Sequence, residues 1–107
     1  DYDFSKKYKK LHGNSYDTFE TKSVTWNEIE KNYLRFPKKI DLLKIDVEGL
    51  DFKILKSINL LKMKPNLIMI EAPDFEKAIK KKIINFLKLK NFKIIYDNNL
   101  NLIFKKN

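Results

Sequence analysis

The sequence contains no cysteine, one histidine and only two glycines among its 107 residues. Without cysteine it can form neither a disulfide nor a thiolate metal site, and His12 alone cannot form a multi-histidine site. Gly13 and Gly49 are too far apart to form a glycine-rich cofactor-binding loop together. The lack of cysteine is typical of a cytoplasmic protein, which is the location we predict.

Long apolar runs are also missing. No run approaches the roughly 18 residues of a membrane span, and the first four residues, DYDF, lack the basic-then-apolar pattern of a secretion signal. We therefore expect a soluble protein with no membrane partner. The length predicts one domain at most, which we place at residues 22–107 after an irregular segment at 1–21.

Basic residues outnumber acidic ones by 23 to 14, which gives a formal net charge of +9. Such a surplus can favour a polyanionic partner, because clustered cations release counterions from phosphate. However, only Arg35 is an arginine, and phosphate-binding and base-reading sites favour the bidentate arginine fork. We expect the lysines to cover solvated faces. A basic α/β module that binds nucleic acid or another polyanion remains the alternative function.

The predicted elements alternate between strands and helices. Residues 22–25 predict a short strand, and the sequence TWNE from Thr25 to Glu28 fits a capping box at the start of a helix over 26–34. Residues 40–47 and 67–70 are aliphatic almost throughout, as is typical of parallel strands covered by helices on both faces.

The segment between these two strands predicts a helix over 50–59, so that strand, helix and strand form a right-handed crossover unit. We expect five apolar side chains on its inward face: Leu50, Ile54, Leu55, Ile58 and Leu61.

Asp74 is expected to cap a third helix that runs to about Lys90, with the lysines at 80–82 mostly outward. Residues 92–96 and 100–104 flank a turn and predict a closing antiparallel hairpin. The expected inward side chains of the helix are Phe75, Ala78, Ile79, Ile83, Phe86 and Leu87.

Acidic residues at the ends of two predicted strands form the candidate site. Alternate strand residues share a face, so Lys44, Asp46 and Glu48 should point the same way with about 7 Å between successive ones. Glu71 ends the next strand, which should bring three carboxylates together at the sheet edge where α/β proteins bind ligands. Gly49 permits a tight turn and close approach of the backbone to a ligand.

Such an edge suits hydroxyl groups, a cationic group or a divalent metal, and Asp46 could act as a general base. Two other interpretations stay open. Asp46 and Glu48 could simply cap the following helix, or they could join Glu71 as the metal ligands of a phosphodiester-cleaving enzyme. The metal interpretation is the weaker one, because Lys44 lies inside the strand rather than at its end. We therefore predict no bound metal.

Three stretches resemble the C-terminal half of the FkbM family of S-adenosylmethionine (SAM)-dependent methyltransferases: IDLLKIDVEGLDFKILKSI at 40–58, LIMIEA at 67–72 and NFKIIYDNNLNLIF at 91–104. The preceding VTWNEI at 24–29 also resembles a segment of that family. The resemblance covers about residues 22–105. It implies an α/β fold with a partial Rossmann-like methyltransferase sheet, in which strands four to seven carry flanking helices and end in a C-terminal antiparallel hairpin.

The resemblance also implies a function, namely methyl transfer from SAM to a hydroxyl group of a sugar or other small metabolite. It implies catalytic roles for Asp46 and Glu48, close to the methyl donor and the acceptor hydroxyl. Lys44, Gly49 and Glu71 are expected to bind the acceptor.

Two departures from the family pattern matter. The family holds its methyl donor mainly through a glycine-rich loop after strand one and an acid at the end of strand two. This chain has neither, so the sequence assigns no residue to cofactor binding, and the residues that would bind SAM stay unknown. Asp51 also stands where the pattern DVEG-x-E has glutamate. We expect a fragment or reduced descendant that folds but is inactive alone. Strand 40–47 would then be an exposed edge, which predicts a homodimer through that edge.

Overall fold

A mixed four-stranded sheet forms the centre of the computed structural model, which describes residues 17–34 and 39–107. Its strands lie in the order β1-β2-β4-β3, with β1 parallel to β2 and β4 antiparallel to both of its neighbours. The α/β class and the closing hairpin are confirmed, and within the described ranges so is the edge position of the strand predicted at 40–47. The strands are β1 (Leu42–Ile45), β2 (Leu67–Glu71), β3 (Phe92–Asp97) and β4 (Asn101–Lys106).

Helices precede the sheet and connect its strands. In the described ranges none of them is long and apolar enough to cross a membrane. The crossover from β1 to β2 contains two short helices instead of the single predicted one. The helices are α1 (Trp26–Asn32), α2 (Asp51–Ser57), α3 (Leu60–Met63) and α4 (Lys77–Leu89), and a 3-10 turn at Asp74–Glu76 precedes α4.

The core lies on one face of the sheet. Buried residues of α2, α3 and α4 cluster with alternate residues of the strands, including Ile68 and Ile70 on β2 and Phe104 on β4. The intervening strand residues are only partly buried or exposed. Among the described residues, the expected cover of helices on both faces is therefore wrong. The lysines on the second face are exposed, as with Lys44 and Lys105.

The capping box at Thr25 is confirmed, whereas the strand predicted at 22–25 is not formed. The Glu28 amide donates to the Thr25 hydroxyl over 3.2 Å, and the Thr25 amide donates to the Glu28 carboxylate over 2.7 Å. The bond from the Thr25 amide, followed by one that the Thr25 hydroxyl donates to the same carboxylate over 3.0 Å, holds the pKa of Glu28 below its ordinary value. The box fixes Thr25 as a helix cap rather than a strand residue.

The helix predicted over 50–59 stops at Ser57, and α3 begins after Asn59. The Asn59 side chain accepts a hydrogen bond from the Lys62 amide over 3.0 Å and so starts the second helix. This restart changes the helical phase. The inward orientation expected for Leu61 is wrong, since its side chain is 74% exposed, while Leu60 is buried in its place.

The start of α4 also differs from the prediction. Asp74 provides no side-chain cap, and the chain makes a 3-10 turn before the α-helix begins at Lys77. Because the turn shifts the helical phase, Phe75 is 82% exposed and Ile79 is 39% exposed instead of facing the core. Ala78 is exposed as well, whereas the expected burial of the later residues Ile83 and Leu87 is confirmed.

Lys80, expected to point mostly outward, instead joins α4 to the hairpin. Its ammonium group lies 2.6 Å from Asp74 and 2.8 Å from Asp97, and its side chain is only 12% exposed. Burial alone lowers the pKa of Lys80, but the hydrogen bonds and negative charges of the two aspartates outweigh it and raise the pKa. The bond from Lys80, followed by one from the Asn99 amide, lowers the pKa of Asp97.

The ion pair between Lys80 and Asp97 should contribute to stability in a way that depends on pH. The pKa of Asp97 is lower in the folded state, so its contribution is present at neutral pH and is lost as the pH falls below about 4. We expect the free energy of unfolding of the wild type to fall more than that of Lys80→Met between about pH 6 and about pH 3. Urea denaturation across that range measures the free energy of unfolding of both proteins. An equal loss in the wild type and in Lys80→Met would contradict the prediction.

Candidate active site

Three carboxylates converge at the carboxyl ends of β1 and β2. Asp46, Glu48 and Glu71 each bring one carboxylate oxygen within 4.8 Å of the others. Glu71 is the last residue of β2, and the other two follow β1. The convergence predicted from the strand ends is thus confirmed, and we call these three residues the carboxylate cluster. Asp46 and Glu48 are exposed, whereas Glu71 is partly buried.

The turn between β1 and α2, rather than strand alternation, positions Glu48. β1 ends at Ile45, two residues earlier than predicted. Glu48 has a φ of 55° and Gly49 has a φ of 105°. Positive φ is unfavourable for a non-glycine residue such as Glu48, whereas glycine adopts it readily. The tight turn expected at Gly49 is therefore present. This turn reverses the backbone and keeps Glu48 beside the end of β2.

Asp51 fastens that turn from the first residue of α2. Its carboxylate accepts hydrogen bonds from the amides of Val47, at 3.2 Å, and Gly49, at 3.1 Å. Asp51 is 6% exposed and is the one charged residue among the buried side chains of the described ranges. The sequence places Asp51 at the start of a predicted helix, next to the positive end of the helix dipole. It does not identify Asp51 as the acceptor for the amides of the turn.

Removing this carboxylate should loosen the turn. Asp51→Ala leaves two partly buried amides without their acceptor, which should lower the free energy of unfolding by about 1–3 kcal/mol. Asp51→Asn keeps one acceptor oxygen and should lose less. Chemical denaturation measures both variants. Wild-type stability in Asp51→Ala would show that these two hydrogen bonds do not hold the turn.

Lys44 lies beside the cluster on the same side of β1 as Asp46. Its ammonium nitrogen is 3.4 Å from Asp46 Oδ2, and both side chains are about half exposed. The predicted common direction of these two side chains is confirmed. A neighbouring ammonium group competes with a divalent cation for Asp46, so the arrangement favours hydroxyl ligands over a metal.

The interpretation of Asp46 and Glu48 as mere helix caps is wrong. The residue that caps α2 is Leu50, which makes no side-chain capping bond. The turn amides of Val47 and Gly49 are bound by Asp51. The two acids are therefore not used for helix capping.

A groove of about 390 Å³ opens beside the carboxylate cluster and continues between the elements that follow β1 and β2. Its volume is within the usual range for small-molecule sites. Acidic, basic and apolar side chains all line it, so it can bind hydroxyl groups together with a ring or chain of carbon atoms. Its lining residues are Glu48, Gly49, Asp51, Phe52, Lys53, Glu71, Pro73, Phe75, Glu76, Ile79 and Lys82.

Comparison with known proteins identifies the family. The sequence model of the methyltransferase FkbM domain matches residues 2–94, which is most of the chain and begins well before residue 22. No curated protein and no solved structure matches the chain. The family match confirms the resemblance drawn from the IDVEG motif and its neighbours. The chain belongs to the FkbM methyltransferase family.

Proposed function

We propose that this chain is the C-terminal portion of a SAM-dependent O-methyltransferase, which modifies a hydroxyl group of a sugar or other small metabolite. The observation that carries the proposal is the carboxylate cluster, located at the carboxyl ends of two parallel strands in a chain of this family. The order and directions of the strands support equating β1, β2, β4 and β3 with strands four, five, seven and six of the Rossmann-like methyltransferase sheet.

The carboxylate cluster provides a candidate base for the acceptor hydroxyl, which O-methylation requires. A methyl group replaces the hydroxyl proton, so a base must accept that proton as the new carbon–oxygen bond forms. Asp46 and Glu48 are exposed carboxylates at the edge of the sheet and serve as the candidate base and orienting group. Gly49 and Glu71 line the groove together with Glu48, and Lys44 pairs with Asp46 beside it. These three residues are the proposed acceptor-binding residues.

The described residues do not fit a site for SAM itself. Gly49 is the one glycine among them, and its amide already donates to Asp51. No glycine-rich turn follows a strand here, so we assign no cofactor-binding residue. We propose that the methyl donor is held by a part of the enzyme outside this sequence, and that the isolated chain is inactive for this reason.

A hybrid enzyme tests the proposal. The N-terminal half of an active full-length FkbM methyltransferase would be joined to residues 22–107 of this chain, and transfer of a labelled methyl group from SAM to neutral glycosides would be measured. We expect transfer by the hybrid and none by the isolated chain. A hybrid that folds and binds SAM but transfers no methyl group to any acceptor would contradict the proposal.

We also propose a homodimer through β1 for the isolated chain. In the described ranges β1 pairs with β2 alone, so its other edge has unpaired backbone groups. Leu42 and Val47, at the two ends of this region, are 49% and 40% exposed. Exposed edges of this kind pair with other chains. Light scattering of the purified chain at tens of micromolar should give the mass of a dimer. The mass of a monomer would contradict this proposal.

Nucleic acid is not a proposed partner. Base-binding proteins set exposed aromatic rings among cations. The exposed ring of Phe75 lies instead in a groove whose lining carries four carboxylates and two ammonium groups, which would repel a phosphate backbone. We retain the cytoplasmic location as part of the proposal, because the chain has no cysteine.

A further inference from the structure

Phe75 is the aromatic residue that lines the groove in an exposed position. Its side chain is 82% exposed although the helical pattern of the sequence assigns it to the core. The 3-10 turn at Asp74–Glu76 holds it at the groove, between the end of β2 and the start of α4. Ile79 also lines the groove and is 39% exposed, so the two residues form an apolar surface on one side of it.

Charge in the groove opposes the charge of the whole chain. Four carboxylates and two ammonium groups line it, which gives a formal charge of −2, whereas the chain carries +9. A phosphorylated or carboxylated ligand would meet net repulsion there. Carboxylates accept hydrogen bonds from hydroxyl groups, and ammonium groups donate to hydroxyl oxygens, so an uncharged polyhydroxyl ligand can satisfy both. The charged lining residues are Glu48, Asp51, Glu71, Glu76, Lys53 and Lys82.

We propose that the Phe75 ring is the surface against which the methyl acceptor packs, which we call the platform, and that it selects an uncharged pyranose sugar. The sugar's C–H face lies on the Phe75 ring, and its hydroxyl groups reach Glu48 and Glu71. The inference rests on the proposed function, since it assigns the methyl acceptor to the groove beside the carboxylate cluster. An aromatic surface beside hydrogen-bonding groups of both kinds suits a ring with one apolar face and several hydroxyl groups.

Saturation-transfer NMR on the isolated chain tests the platform without the cofactor. The probes are neutral methyl pyranosides and glucose 6-phosphate. We expect transfer to at least one methyl pyranoside and none to the sugar phosphate. Phe75→Ala should weaken the pyranoside affinity about fivefold or more, and Phe75→Trp should retain it. Leu89→Ala is the control, because Leu89 is 85% exposed but does not line the groove.

Transfer that does not change in Phe75→Ala, or transfer to glucose 6-phosphate as strong as to the pyranosides, would overturn the proposal. So would transfer to none of the neutral pyranosides. The hybrid enzyme separates this failure from failure of the proposed function. If the hybrid methylates an acceptor and Phe75→Ala leaves its KM unchanged, the platform is wrong and the methyltransferase assignment stands. A hybrid that binds SAM but is inactive on every acceptor refutes the assignment itself.

Discussion

Changing Asp46 to Asn and Glu48 to Gln together is expected to lower methyl transfer by the hybrid enzyme at least about 100-fold, the size of a general-base contribution. Both amides keep the shape of the side chains but cannot accept the acceptor's proton at neutral pH. The rate is measured with labelled SAM at saturating acceptor. Binding of S-adenosylhomocysteine (SAH) by the same variant should stay within about threefold, because neither acid is proposed to hold the methyl donor.

Asp41→Asn is the matched control for this pair. Asp41 is exposed and precedes β1, so it lies at the opposite end of the strand from the carboxylate cluster. Its replacement should leave the methyl-transfer rate unchanged. If the double variant retained its rate, the two acids would have no part in the reaction, even though they lie close to Glu71.

Phe104→Ala is expected to lower the free energy of unfolding of the isolated chain by about 3–5 kcal/mol, which is a large part of the stability of a small domain. Phe104 is completely buried on β4 and packs into the cluster formed by the sheet and helices. Phe75→Ala should change the same quantity by no more than about 0.5 kcal/mol, because its side chain is 82% exposed.

Urea denaturation of the two variants measures this contrast. The pair is informative because the helical pattern of the sequence assigns Phe75 to the core, while the structure buries Phe104 and exposes Phe75. Equal losses of stability would show that Phe75 is packed in solution, which would also remove the basis for its role as a platform. A small loss in Phe104→Ala would contradict the position of the core.

The carboxylate cluster could be predicted from sequence because it depends on local patterns. The aliphatic run over 40–47 carries Asp46 near its end and is followed by Glu48, and Glu71 directly follows the next aliphatic run. Parallel strands joined by a helical crossover place those ends at the same edge. The exact route to the cluster was not predictable, because Glu48 reaches it through a positive-φ turn rather than along the strand.

The features that were missed depend on a change of helical phase or on distant partners. Asn59 restarts the helix and turns Leu61 outward, and the 3-10 turn does the same to Phe75. Helical periodicity assumes an unbroken helix, so it assigns both to the core. The Lys80–Asp97 pair joins residues 17 positions apart, and its geometry exists only after the hairpin folds.

The central claim is that this chain forms the acceptor-binding part of a methyltransferase site and not the cofactor-binding part. Isothermal titration of SAH into the purified chain tests that claim most directly. We predict no saturable binding up to about 1 mM SAH by a chain whose circular dichroism shows it to be folded. One SAH bound per chain with micromolar affinity would contradict the account, because a complete cofactor site would then lie within these residues.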